Sequence, residues 1–174
     1  MGILKKLTEE YFGEIEREED LIDIHDLNVE IVSFTDNNDK FHKKGYKPKD
    51  KDTLKKLLER MIKVRGDEGD FNDIDTSDIV SMESLFEENK TFNGDITGWN
   101  ISSVRNMRNM FFYAESFNQP IGNWEFPNVT DMNRMFYGAA SFDQDLSEWD
   151  LKGKNTKDMF SNCPIVDKYK PKMK

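Results

Sequence analysis

The sequence predicts an α/β repeat protein. The expected form is a short solenoid of about four strand–helix coils, with an N-terminal helical cap and a small N-terminal α/β extension. Three observations carry this. Phe92, Phe117 and Phe142 lie 25 residues apart, as do Trp99, Trp124 and Trp149. Only 36% of the 174 residues are hydrophobic while 34% are charged, which suits a thin, high-surface architecture rather than one large core. An apolar stripe at helical spacing stands directly before the first repeat.

Along the chain, Ile3, Leu4, Leu7, Tyr11 and Ile15 predict one or two helices over 3–27, weakened by Gly13. "VEIVSF" (Val29 to Phe34) is a candidate strand by its β-branched content, and "KFHKKGYKPKDK" reads as a basic, turn-rich connection. Leu54, Leu57, Leu58, Met61 and Ile62 then predict a helix over 53–65, with Asp52 or Thr53 as its N-cap. The expected organisation is an extension at 1–46, a capping helix and linker at 47–70, the repeats at 71–165 and a tail at 166–174.

From Phe71 the columns are sharp. Val104 and Val129, Met107 and Met132, Met110 and Met135, and Phe86, Phe111 and Phe136 keep the same period, while Phe160 comes one residue early. In each coil, Trp99-Asn100-Ile101 alternates like a short strand, and Val104, Met107, Met110 and Ala114 recur at helical spacing. Ser103, Asn128 and Asp78 stand where a helix N-cap would. Asn93, Asn118 and Asp143 share a column in which side chains can bond turn backbone and stack between coils. One coil alone has too few apolar residues to offset its ordering cost of about 1–2 kcal/mol per residue, so the coils must share faces.

"FNQPIGNWEFPNVTDMNRMF" and "IDTSDIVSMESLF" resemble the repeat of the BspA-like leucine-rich repeat proteins, in the subgroup first catalogued as a mycoplasma domain of unknown function. "KPKDKDTLKKLLERMI" resembles the lead-in and capping helix found ahead of such repeats in small bacterial members. The resemblance spans about residues 47–165. It implies a right-handed, leucine-rich-repeat-like solenoid with a binding role, and many members are surface adhesins. It brings no catalytic residues. The start of this chain lacks a secretory signal pattern, and Lys6 stands where a myristoylation motif wants Ser or Thr. The expected location is cytoplasmic.

The net charge of −9 argues against nucleic acid as a partner, because no excess of cations is present to displace counterions from phosphates. No apolar run approaches a membrane span. Residues 1–36 carry three Lys/Arg against eleven Asp/Glu, and 37–66 carry eleven against four. The two blocks either face each other or form separately solvated surfaces.

For chemistry the sequence offers little. His25 and His42 lie in different segments, and Cys163 is the single cysteine, so neither a zinc pattern nor a disulfide framework is present. "DNNDKF" starts like a calcium loop but has Phe41 where the loop needs Gly. The acids of "GDEGDFNDID" match no loop spacing and read as a solvated turn. No enzyme, cofactor or metal is expected.

The informative positions change while the frame stays fixed. Asn100, Glu125 and Asp150 line up beside the Trp columns. Arg105, Arg108 and Asn109 become Thr130, Asn133 and Arg134 in the next repeat, and Phe112-Tyr113 becomes Tyr137-Gly138. Exposed aromatics beside Arg are the residue types of interface hot spots, so Asn100, Arg105, Arg108, Asn109, Phe112, Tyr113, Glu125, Arg134, Tyr137 and Asp150 are the candidate partner-binding residues. The expected function is a non-catalytic protein-binding module, most specifically an acidic immunity or antitoxin-type protein that covers a basic toxin domain. The alternative is a surface or adhesion-type repeat protein.

Overall fold

The computed structural model describes residues 22–35 and 42–172. Most of the segment expected to be helical, 3–21, lies outside them, as does the "DNNDKF" loop. Residues 22–28, which are described, form bends and turns rather than helix.

Strand β1 spans Val29–Thr35 and pairs antiparallel with β2, His42–Pro48, with Ile31 opposite Tyr46 and Val32 opposite Gly45. The basic stretch expected to be a turn-rich connection is thus largely strand. Within it, Lys47 donates to Ser77 Oγ at 3.1 Å and pairs with Asp75 and Asp78. The hairpin leads into helix α1, Lys51–Arg65. Asp50, not Asp52 or Thr53, is the N-cap: its backbone is extended and its carboxylate accepts the Thr53 N–H at 2.8 Å. That bond holds the Asp50 carboxyl below its ordinary pKa. Gly66, at φ +77°, ends the helix. Leu54, Leu57, Leu58 and Met61 are buried and join the core of the repeats.

The repeats correct the fold class. Among the described residues, α1 is the only α-helix and β1–β2 the only sheet, so the expected four strand–helix coils are not formed. Each repeat is instead a string of turns. Trp99 N–H bonds Ile96 O, Val104 bonds Ile101, Met110 bonds Met107, and Ala114 bonds Phe111, each across three residues at 3.0–3.2 Å. Backbone conformation is the reason no helix forms. Asn109 and Tyr113 have φ of +55° and +50°; Ser84 and Glu88, Arg134 and Gly138, and Asp158 and Asn162 repeat this in the other coils. A left-handed residue every fourth position interrupts any i→i−4 ladder. The apolar residues fall at turn corners, and that spacing mimics a helical stripe. Ser103, Asn128 and Asp78 therefore cap no helix; Asn128 Nδ2 donates to Ser102 O instead, at 2.7 Å.

The left-handed residues turn N–H groups along the axis of the stack. Met107, Asn109, Phe111 and Tyr113 donate to the carbonyls of Asp131, Asn133, Met135 and Tyr137, at 2.8–3.0 Å. Coil one makes the same four bonds to coil two, and coil three does so to coil four. Parallel bridges join Ser81, Asn106, Asp131 and Asn155 in one column. The repeats thus lie on one another in register, although their elements differ from those expected.

Inside, Phe86, Phe111, Phe136 and Phe160 stack at 5.5–5.7 Å between ring centroids, with planes within 8° of parallel. Phe92, Phe117 and Phe142 form a second column at 6.0–6.3 Å. The columns touch three times, at Phe86–Phe92, Phe111–Phe117 and Phe136–Phe142, with 3.9–4.2 Å between ring centroids. Outside, the Asn column works as its residue types suggest: Asn93 Oδ1 accepts from Asn118 N, and Asn118 Oδ1 from Asp143 N, at 2.9 and 3.0 Å.

Both ends of the stack are dressed. Tyr46 exchanges backbone bonds with Asp73 and Asp75, adding the hairpin above coil one. Arg65 forks onto the buried Asp73 carboxylate with two bonds of 2.7 Å, tying the end of α1 to the same coil. Arg60 binds both oxygens of Asp26 and the Asp23 carbonyl, so the acidic and basic blocks do meet at this point. The Arg60 guanidinium holds the Asp26 carboxyl below its usual range. At the far end, Tyr169 O accepts the Leu146 N–H and Asp143 accepts from Val166.

Two predictions follow from this packing. Phe111→Ala should cost about 3–5 kcal/mol in urea unfolding, because its ring touches both columns, while Arg105→Ala should stay within about 0.5 kcal/mol. Glu88→Asn should raise stability by about 0.5–1 kcal/mol, since Asn tolerates the left-handed backbone that Glu88 adopts.

Candidate protein-binding face

The ten sequence-selected residues fall into two groups, with no hydrogen bond, ion pair or ring contact between the groups. All lie outside the core except where a half-buried ring or amide touches its neighbour.

The first group follows the ladder. Phe112, Tyr113 and Tyr137 form one aromatic cluster. Phe112 stacks on Tyr137 at 5.2 Å and meets Tyr113 edge-on at 4.7 Å, and Tyr113 meets Tyr137 at 5.6 Å. Two features of the coil place them there. The left-handed backbone at Tyr113 turns its side chain out over the coil below, and Gly138 leaves room for it: a Cβ at Gly138 would stand 2.6 Å from the Tyr113 ring. Tyr137 is further held by Asn162, whose Nδ2 donates to its hydroxyl at 3.1 Å. Tyr113 remains 38% exposed.

Earlier in the same coil, the Arg105 and Arg108 side chains are exposed and form no ion pair among the described residues. Arg134 lies 3.7 Å from Asp158, too far for a hydrogen bond, and its buried Nε has no partner. Asn109 reaches Glu87 at 3.5 Å, leaving its own buried Oδ1 unbonded. Exposed guanidinium groups can grip acidic side chains by bidentate bonding, and the three touching rings offer stacking surfaces.

The second group lines the Trp edge. Asn100 and Asp150 spend a side-chain oxygen on their own turns, accepting from Ser102 N and Lys152 N at 3.1 and 3.0 Å. Glu125 and Asp150 face a cleft of about 640 Å³ between coils three and four, together with Glu148, Trp149 and Lys152. The indoles that line it, Trp124 and Trp149, are buried; Trp149 donates to Gly122 O at 3.1 Å, while Trp124 Nε1 meets no acceptor among the described residues. Glu148 adds a third carboxylate to the cleft, against the two lysines Lys152 and Lys154 in its lining. Glu148 was legible in the sequence as the third member of the column Gly98, Asn123, Glu148, which also changes while the frame stays fixed.

Lys154 explains the early Phe160. Its N–H closes a turn to Leu151, as Val129 does to Phe126, so it occupies the Val column, and the chain shortens just after it. Its ammonium turns inward onto Val129 O and Phe126 O, at 2.8 and 3.3 Å.

The acids of "GDEGDFNDID" serve structure. Asp73 pairs with Arg65, and Asp70 and Asp75 accept from Asn72 N and Ser77 N. Burial alone would raise the Asp75 carboxyl, but bonds from Ser77 and the nearby Lys47 ammonium outweigh it and leave the group below its ordinary range. Among the described residues, no three His, Cys, Asp or Glu side chains gather in a way that could hold a metal ion. No helix among them is long and apolar enough to cross a membrane.

No curated protein and no solved structure matches the chain. The family described as "Mycoplasma protein of unknown function, DUF285" matches residues 53–171, from the start of α1 through the last coil and its tail. With more than half of its length in that match, the chain belongs to the DUF285 family.

Proposed function

We propose that this chain is a non-catalytic protein-binding module. The observation that carries the reading is the mutual contact of Phe112, Tyr113 and Tyr137 at the surface, on the ladder whose coil two also carries the exposed Arg105 and Arg108. The rings are fixed by turns whose frame is packed, so binding would order few additional side chains. Kinship of the repeat with BspA-like leucine-rich repeat proteins is part of the same proposal and rests on the "FNQPIGNWEFPNVTDMNRMF" motif.

The finer reading is an immunity or antitoxin-type protein that covers a basic toxin domain. The net charge of −9 and the cleft bearing Glu125, Glu148 and Asp150 support it, because such a field speeds encounter with a basic partner. The test is co-purification with the product of the adjacent gene, at low and at physiological salt. Recovery of a basic partner supports the reading. Recovery of nothing at either salt contradicts it, and localisation of the native protein on the cell surface would favour adhesion instead.

For a recovered partner, Tyr113→Ala should weaken binding at least about thirtyfold, equivalent to about 2 kcal/mol, as measured by calorimetry. The same variant should leave the unfolding midpoint within a few degrees, since the Tyr113 ring is outside the Phe columns.

A further inference from the structure

The ladder between coils runs one way, and it ends open. Arg134, Phe136 and Gly138 donate to Lys157 O, Met159 O and Ser161 O. The matching donors of coil four are the N–H groups of Asp158, Phe160 and Asn162, and none meets an acceptor among the described residues. The tail does not cover them: it packs on the other side, through Cys163 to Phe142 O, Val166 to Asp143 and Tyr169 to Leu146. The Phe160 ring stacks beneath Phe136, is only partly buried, and has no further ring below it among the described residues.

This edge differs from that of an ordinary strand, which offers donors and acceptors alike. Here the intervening carbonyls are already used, so the edge offers donors only. Lys157, whose side chain is exposed, stands next to the Asp158 N–H on this edge. A second copy fits poorly. Edge to edge it would set donor against donor, and the carbonyl edge of coil one lies across a narrow crevice from Leu58, Glu59 and Ile62 of α1.

We propose that this open edge is a docking strip for an acidic, extended segment of a partner protein. The segment's carbonyls and carboxylates accept from Asp158, Phe160 and Asn162 N–H, one of its apolar side chains covers Phe160, and Lys157 attracts its charge. The strip adjoins the aromatic face without relying on it, so loss of one leaves the other standing.

The experiment is an NMR titration of the ¹⁵N-labelled full chain with an acetylated, amidated Glu-Asp-Phe-Glu-Asp peptide. The lysine-for-acid counterpart and inorganic phosphate serve as comparison ligands. Saturable shifts centred on the amides of 158, 160 and 162, absent with the lysine peptide, support the proposal. Phe160→Ala should then weaken binding about tenfold. Lys157→Glu, an exposed change that leaves coil four intact, should weaken it about threefold. Unmoved amides at these three positions overturn the proposal. An equal response to phosphate assigns a simple anion site and overturns it too, as does movement of the same amides with protein concentration alone, which assigns the edge to a second copy.

Discussion

Two columns of phenylalanine run the length of the stack, and the coils are arranged around keeping their rings in contact. Each ring has a like ring about 5.5–6.3 Å above or below it, and all but Phe160 have another about 4 Å to the side. Such packing removes nearly all of a Phe side chain from water, giving about 1.5–3 kcal/mol for each, with about 0.5–1.5 kcal/mol more from favourable ring pairing. The 25-residue period follows from this constraint. A change of coil length is compatible with the columns only where the backbone absorbs it before the rings. Where coil four is one residue short, the loss falls between Lys154 and Asn155, after the Val column and before the Phe column, and Phe160 keeps its place under Phe136.

The backbone meets the same constraint with turns rather than helices. A helix satisfies its polar groups internally and would leave neighbouring coils joined by side chains alone. The left-handed residues in each coil break that self-sufficiency and send alternate N–H groups to the next coil. Several of these positions hold Ser, Glu, Tyr or Arg, which disfavour that backbone, so packing and inter-coil bonds must outweigh the local strain. The cost has a use at Tyr113, where the turned backbone lifts an aromatic ring to the surface. Frame and face are thus separate sets of residues within each rung, with Met107, Met110 and Phe111 inside and Arg108, Phe112 and Tyr113 outside.

The columns, their phase, the early Phe160 and the cap helix were legible because burial repeats in sequence as it repeats in space. The Asn93–Asn118–Asp143 ladder was legible for the same reason. Secondary structure inside the coil was not, because Val104, Met107, Met110 and Ala114 have the spacing of a helix face and of turn corners alike. Asn109 and Gly138, residues tolerant of positive φ, were the available hint, but Tyr113 and Arg134 in equivalent positions obscured it. Strand β2 was hidden by its lysines, which outnumber its apolar residues. The aromatic face could be guessed from residues that vary against a fixed frame. That Phe112, Tyr113 and Tyr137 touch could not, since it depends on the backbone at Tyr113 and the missing side chain at Gly138. The open donor edge of coil four was equally invisible, being a property of carbonyl direction rather than of residue type.

Amide hydrogen exchange across 107–114 tests the turn-built ladder most directly. The Met107, Asn109, Phe111 and Tyr113 amides, bonded to the next coil, should exchange only through global unfolding. Arg108 N–H, bonded to the exposed Asn106 side chain, should exchange orders of magnitude faster. One fast amide at Arg108 inside an otherwise protected run is the signature of coils joined by their backbones, since Met110, Phe112 and Ala114 bond within their own coil. Uniform protection from 107 to 114, with Arg108 as slow as Asn109, would mean a helix after all and would contradict the account.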